Sequence, residues 1–66
     1  MIKLQIDKGK GLVKIFDCNK NVNFELEIQE NGEYYYAPED IFYSSLTVFI
    51  DDKIENPKPV EVEFND

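Results

Sequence analysis

Apolar and polar residues alternate in three segments of the chain, residues 1–7, 22–29 and 60–64. Such alternation predicts half-buried β-strands, because successive side chains of a strand point to opposite faces. The pattern is clearest in residues 22–29, where four apolar side chains alternate with four polar ones. Pro57 and Pro59 predict a loop immediately before the last of these strands.

Glycines mark the turn that follows the first strand. Residues 8–11 read Lys-Gly-Lys-Gly, and glycine adopts positive φ at no steric cost. A hairpin over residues 2–17 is therefore expected, with its second strand at 12–17. Both faces of that strand carry apolar side chains, so the sequence leaves two choices open. The inward-facing pair is either Val13 with Ile15 or Leu12 with Phe16.

A second turn follows the strand at 22–29. The Asn31-Gly32 dipeptide is the signature of a tight hairpin turn, and three consecutive tyrosines begin the returning strand. Three adjacent strand residues cannot all point inward. We expect Tyr34 and Tyr36 to face the core and Tyr35 to face outward.

Residues 38–54 carry conflicting signals. Their aromatic and β-branched residues favour a strand, whereas Pro38 followed by two acids is typical of a helix start. On a strand, each face would mix apolar and hydroxyl side chains, whereas on a helix the apolar residues share one face. We therefore predict a helix from about residue 38 to residue 54. Its predicted core face consists of Phe42, Tyr43, Leu46, Phe49 and Ile50.

These elements predict an α+β fold. We expect a small antiparallel sheet, a meander of about five strands, with one amphipathic helix packed on it and the last strand returning to the sheet. If residues 38–54 form a strand instead, the alternative is a small all-β barrel. The 66 residues are enough for a single small globular domain spanning 1–66. So small a core contributes little net stability, so the chain is stable alone only if most apolar residues face inward, and otherwise it needs a partner or self-association.

The net charge of −7 is unevenly distributed along the chain. Residues 1–20 contain five lysines and two acids, a sum of +3, whereas residues 21–66 contain two lysines and twelve acids, a sum of −10. Arginine, the preferred residue for phosphate contacts, is absent, so direct binding to nucleic acid is not expected. An acidic surface suits a protein partner with a basic surface, although acids also serve solubility alone.

Few groups in the sequence could catalyse a reaction. Histidine is absent, Cys18 is the only cysteine, and no G-x-S-x-G turn surrounds Ser44 or Ser45. The Asp51-Asp52 pair matches no EF-hand calcium loop. We therefore predict that the protein is not an enzyme, and we expect no catalytic residues, cofactor or metal.

The single cysteine and the lack of a long apolar segment indicate where the protein is located. A free thiol is typical of a reducing compartment, and a membrane span needs about 18 consecutive apolar residues. The N-terminus lacks the apolar run of a signal peptide. We predict a cytoplasmic location without membrane contact, which is the host cytoplasm if a bacteriophage encodes the protein.

The leading functional hypothesis is a non-enzymatic, acidic protein-binding module. In its sharper form the protein is an inhibitor that mimics the charge of nucleic acid and blocks a nucleic-acid-binding enzyme. In this general character it resembles anti-CRISPR and anti-restriction proteins, although no motif matches a specific family. The alternative is a small structural or assembly subunit of a phage or bacterial complex, which would self-associate into a homo-oligomer. The predicted partner-binding residues are Tyr34, Tyr35, Tyr36, Glu39, Asp40, Asp51 and Asp52.

Overall fold

The computed structural model of the chain describes residues 1–55 and 60–65. Six strands form one sheet and a single α-helix lies on it, so the fold is α+β, as predicted. The elements are β1 (Ile2–Asp7), β2 (Leu12–Asp17), β3 (Val22–Ile28), β4 (Tyr34–Tyr36), β5 (Ile41–Tyr43), α1 (Leu46–Lys53) and β6 (Val60–Asn65).

The strands follow the spatial order β5-β4-β3-β2-β1-β6. Strands β1 to β5 form an antiparallel meander, and β6 pairs in parallel with β1. The sheet thus has six strands rather than about five, and the prediction that it is antiparallel throughout is wrong at β6. The sheet is not closed into a barrel, so the all-β alternative is wrong. The loop predicted at Pro57 and Pro59 lies outside the described residues.

The pairing of β1 with β2 decides which face of β2 is buried. Leu4 pairs with Ile15 and Ile6 pairs with Val13, so these side chains share a face. Val13 and Ile15 are fully buried, whereas Leu12 is only half-buried on the other side of the strand. The inward-facing pair is therefore Val13 with Ile15.

The helix is shorter than predicted. It begins after Ser45, whose Oγ accepts a hydrogen bond from the backbone N–H of Val48 at 3.2 Å. Serine favours this capping position because its side chain satisfies an amide that lacks a partner within the helix. The proline signal marks only a 3-10 turn over Ala37–Glu39, and Asp40 ends that turn in the left-handed region with φ 55. The chain reverses there and enters β5.

The prediction that Phe42 belongs to the core is wrong. In β5 the side chains alternate, so Tyr43 faces the core and is 6% exposed, while Phe42 points the other way and is 55% exposed. Strand periodicity thus replaces helical periodicity at these positions. The rest of the predicted helix face lies on the covered side, where Phe49 and Ile50 are buried and Leu46 packs against them.

One aromatic side chain, Phe49, makes the ring contacts between helix α1 and the sheet. The Phe49 ring is fully buried and meets the rings of Phe24, Tyr36 and Tyr43 edge to face, at centroid distances of 5.4, 5.2 and 5.0 Å. This is the favoured geometry for aromatic pairs. The buried apolar core consists of Ile2, Leu4, Val13, Ile15, Leu26, Tyr43, Phe49, Ile50 and Ile54.

The opposite face of the sheet, which we call the open face, is covered by no element that the structure describes. The strand pairing assigns to it the side chains that alternate with the core residues. Its members are Lys3, Gln5, Asp7, Leu12, Lys14, Phe16, Asn23, Glu25, Glu27, Tyr35, Phe42, Glu61 and Glu63.

We expect Phe49→Ala to lower the free energy of unfolding by about 3–5 kcal/mol, because it removes a buried ring and leaves a cavity. A 66-residue domain has a total stability of that order, so the variant should be largely unfolded by circular dichroism. Phe49→Leu should keep the fold and lose part of that stability in urea denaturation. The control Val48→Ala, 46% exposed on the same helix, should change it by less than about 1 kcal/mol. If Phe49→Leu and Val48→Ala lowered the free energy of unfolding equally, the ring contacts of Phe49 would not be what holds the helix to the sheet.

Candidate functional site

Two aromatic rings lie side by side on the open face, on strands β4 and β5. Tyr35 pairs directly with Phe42, and their ring centroids are 4.7 Å apart at an interplanar angle of 38°. The Tyr35 hydroxyl donates a hydrogen bond of 2.6 Å to Oδ1 of Asp40. That bond raises the pKa of the Tyr35 phenol, because the neighbouring carboxylate favours the protonated form. The ring pair is thus fixed at one side and exposed at the other.

Carboxylates surround this ring pair. Glu27 is the β3 neighbour of Tyr35 in the sheet, and Glu30 lines a shallow depression beside Phe42. Asp40 contributes a third negative charge through its contact with the Tyr35 hydroxyl. We call this set the acidic aromatic patch: Glu27, Glu30, Tyr35, Asp40 and Phe42.

The other two tyrosines of the triplet face the core, as predicted. Tyr36 packs against Phe49 at 5.2 Å, and Tyr34 is half-buried against the core cluster. The outward orientation of Tyr35 is likewise confirmed, because it pairs with Glu27 on the open face. A partner on the open face would therefore meet only Tyr35 of the three.

Glu39 and Asp52 belong to a separate cluster around Lys53. The Lys53 ammonium forms an ion pair with Glu39, lies 3.8 Å from Asp52 and stands 5.7 Å from the centre of the Tyr36 ring. The hydrogen bond to Glu39 raises the pKa of Lys53. This cluster connects the end of α1 to the 3-10 turn, and the single charge of Lys53 offsets part of the negative charge of its two acids.

Tyr43 anchors Asp52 from the sheet side. Its hydroxyl donates a hydrogen bond of 2.8 Å to Oδ2 of Asp52. Burial is the main cause that raises the pKa of the Tyr43 phenol, and the bond to Asp52 adds to it. The neighbouring Asp51 is exposed on the helix.

The structure thus brings together only part of the predicted binding set. Tyr35 meets Asp40 on the open face, while Glu39 and Asp52 meet at Lys53. Sequence reasoning missed Phe42 because it placed that residue on a helix. Alternation over Ile41–Tyr43, with Tyr43 inward, was the available signal.

The remaining charges of the open face are not paired with one another. Lys14 is the strand neighbour of Glu25, and Lys3 lies between Phe16 on one side and Glu61 on the other. The described residues of this face nevertheless form no ion pair within 4.0 Å. Neighbouring lysines and glutamates of this face therefore lie side by side without direct ion pairs.

Other kinds of site find little support in the described part of the chain. Within residues 1–55 and 60–65, no cluster of three or more cysteine or acidic side chains could hold a metal ion. The helix of that region is also too short and too polar to cross a membrane.

Comparison of the chain with protein-family models, curated proteins and solved structures found no match.

We expect Asp52→Asn to shift the titration of the Tyr43 phenol to lower pH. The asparagine amide oxygen can still accept the hydrogen bond from Tyr43, but the negative charge beside the phenol is gone. Phenolate absorbance of the four tyrosines measures this directly. Asp51→Asn is the matched control, since Asp51 is the exposed neighbour. Superimposable titration curves for the two variants would contradict the Tyr43–Asp52 contact.

The raised pKa of Tyr43 should also make the free energy of unfolding fall at alkaline pH. The folded pKa of Tyr43 is raised above the unfolded value of about 10. Its contribution is therefore complete below pH 10 and is lost as the pH rises through the folded pKa. Urea denaturation at increasing alkaline pH should show this loss in the wild type and a smaller loss in Asp52→Asn.

Proposed function

We propose that the protein is a non-enzymatic binding module that contacts a basic partner protein through the acidic aromatic patch. The observation that carries the proposal is the exposure of Phe42, 55%, on a sheet face that no described element covers. Its ring lies against Tyr35 and is bordered by acids.

The exposed ring pair has the chemistry of a contact surface. Burying a phenylalanine side chain is worth roughly 1.5–3 kcal/mol, so a partner that covers Phe42 gains binding energy that folding has not used. Aromatic residues are enriched in protein interfaces, and a tyrosine adds a hydroxyl that can hydrogen-bond. Tyr35 is already held in place by Asp40, so binding would order few additional rotatable bonds.

Charge defines the partner. The patch contains three carboxylates and no cation, and the chain from residue 21 onward sums to −10. Opposite charge at the rim of an interface accelerates association and selects the partner. A basic surface with an apolar depression that accepts Phe42 fits this arrangement.

A nucleic-acid-binding enzyme is the sharper form of this partner. Such enzymes present lysine and arginine to phosphates, and an acidic protein without arginine competes for the same surface. On β3, Glu25 and Glu27 project from the same face of the sheet, so the strand repeat places two carboxylates about 6.7 Å apart in a row. The protein then acts as an inhibitor by occupying the site of the nucleic acid.

The test is affinity capture from the native or host lysate with matched pairs of variants, followed by mass spectrometry. Phe42→Ala removes the exposed ring, and Val48→Ala removes an exposed apolar side chain from the helix. Glu27→Gln with Glu30→Gln removes two charges from the patch. Asp51→Asn with Glu55→Gln removes two charges elsewhere.

We expect Phe42→Ala and the Glu27→Gln, Glu30→Gln double variant to capture at least about tenfold less partner protein than the wild type. The reason is that residues that anchor an interface each contribute about 2 kcal/mol or more. Both controls should retain it, and all four variants should keep the wild-type circular dichroism spectrum. Equal capture by patch and control variants would contradict the proposal. For the inhibitor form, added nucleic acid should displace the protein from its captured partner. Displacement by salt but not by nucleic acid would leave only the general binding module.

A further inference from the structure

The outer edge of strand β6 has no strand paired to it within residues 1–55 and 60–65. This strand is the outermost strand of the sheet and pairs with β1 on one side only among the described residues. A strand at the edge of a sheet presents a row of backbone N–H and C=O groups to which another strand can add. At six residues, β6 is twice as long as β5, the strand at the other edge.

The side chains of β6 make this edge chemically distinctive. Val60 and Val62 lie on the helix side of the sheet and are 43% and 47% exposed. Glu61 and Glu63 lie on the open face and are also exposed. Successive side chains of β6 therefore alternate between an apolar face and an acidic face of the sheet.

We propose that the outer edge of β6 binds an extended segment of a partner protein as a seventh strand, in which apolar and basic residues alternate. Side chains of an added strand alternate in phase with those of its neighbour. Apolar residues of the segment would lie beside Val60 and Val62, and basic residues would lie beside Glu61 and Glu63. Main-chain hydrogen bonds supply affinity and the alternate side chains supply specificity. This site is separate from the acidic aromatic patch and does not rest on the function proposed for it.

Charge argues against a second copy of this chain as the occupant. Two β6 strands pairing side by side would place Glu61 and Glu63 of one copy next to the same residues of the other on the same face. Like charges directly opposite each other destabilise strand pairing, whereas opposite charges stabilise it. A basic segment meets the same edge with complementary charge.

The probe is an eight-residue peptide of alternating valine and lysine, with a valine–glutamate peptide as its counterpart. Backbone amide spectra and amide exchange of the full chain report where each peptide binds. We expect the valine–lysine peptide to shift and protect alternate β6 amides and to bind about tenfold more tightly than its counterpart. Glu61→Gln with Glu63→Gln should remove that preference, whereas Glu25→Gln, on β3 of the same face, should preserve it.

Because a basic peptide would also be attracted to the acidic aromatic patch, Phe42→Ala is included in the series. Retention of the β6 response in that variant supports an independent site. Peptide effects confined to β4 and β5 would overturn the edge proposal without affecting the patch. A concentration-dependent dimer in sedimentation, with β6 amides protected in the absence of peptide, would also overturn it and make the second copy the occupant.

Discussion

The whole architecture depends on the burial of Phe49 between the helix and the sheet. Helix α1 has eight residues and would be about 12 Å long, too short to be stable alone in water. It forms because tertiary contacts hold it, and the three edge-to-face ring contacts of Phe49 are the clearest of them. The Lys53 cluster and the Tyr43–Asp52 hydrogen bond then fix the end of the helix against the strands.

One short helix has a further consequence for the surface. Six strands spaced about 4.8 Å apart span about 24 Å, so α1 can cover only part of one face. The core-side valines of β6 stay exposed at one edge, and the open face keeps Tyr35 and Phe42 near the other edge. The exposed valines of β6 therefore follow from how little of the covered face the helix spans, whereas Tyr35 and Phe42 stay exposed because no described element lies on the open face.

Local patterns in the sequence predicted most of the fold. Alternation identified β1, β3 and β6, and the glycine-containing turns predicted the hairpins. The prediction for the segment after Tyr36 was wrong because its residue types favour a strand while its proline and acids favour a helix start. Phe42 and Tyr43 are adjacent and both carry aromatic rings, so they can share one helical face, whereas in a strand they point to opposite faces. Asp40 turns the chain in the left-handed region without a glycine to mark the turn.

The candidate site was harder to predict than the fold because it depends on pairing between strands. Tyr35 could be assigned to the outer face from alternation alone. Its neighbours Glu27 and Phe42 are known only once the register of β3, β4 and β5 is fixed. The pairing of Glu39 with Lys53, fourteen residues apart, also had no signal in the sequence and reduces the free charge near the helix.

The measurement that most directly tests the account is amide exchange of the protein alone and in complex with its captured partner. If the partner binds the acidic aromatic patch, new protection should appear at β4 and β5 and around Glu27, with exchange at α1 unchanged. Protection that falls mainly on α1, with β4 and β5 unaffected, would show that the partner binds the covered side and not the acidic aromatic patch.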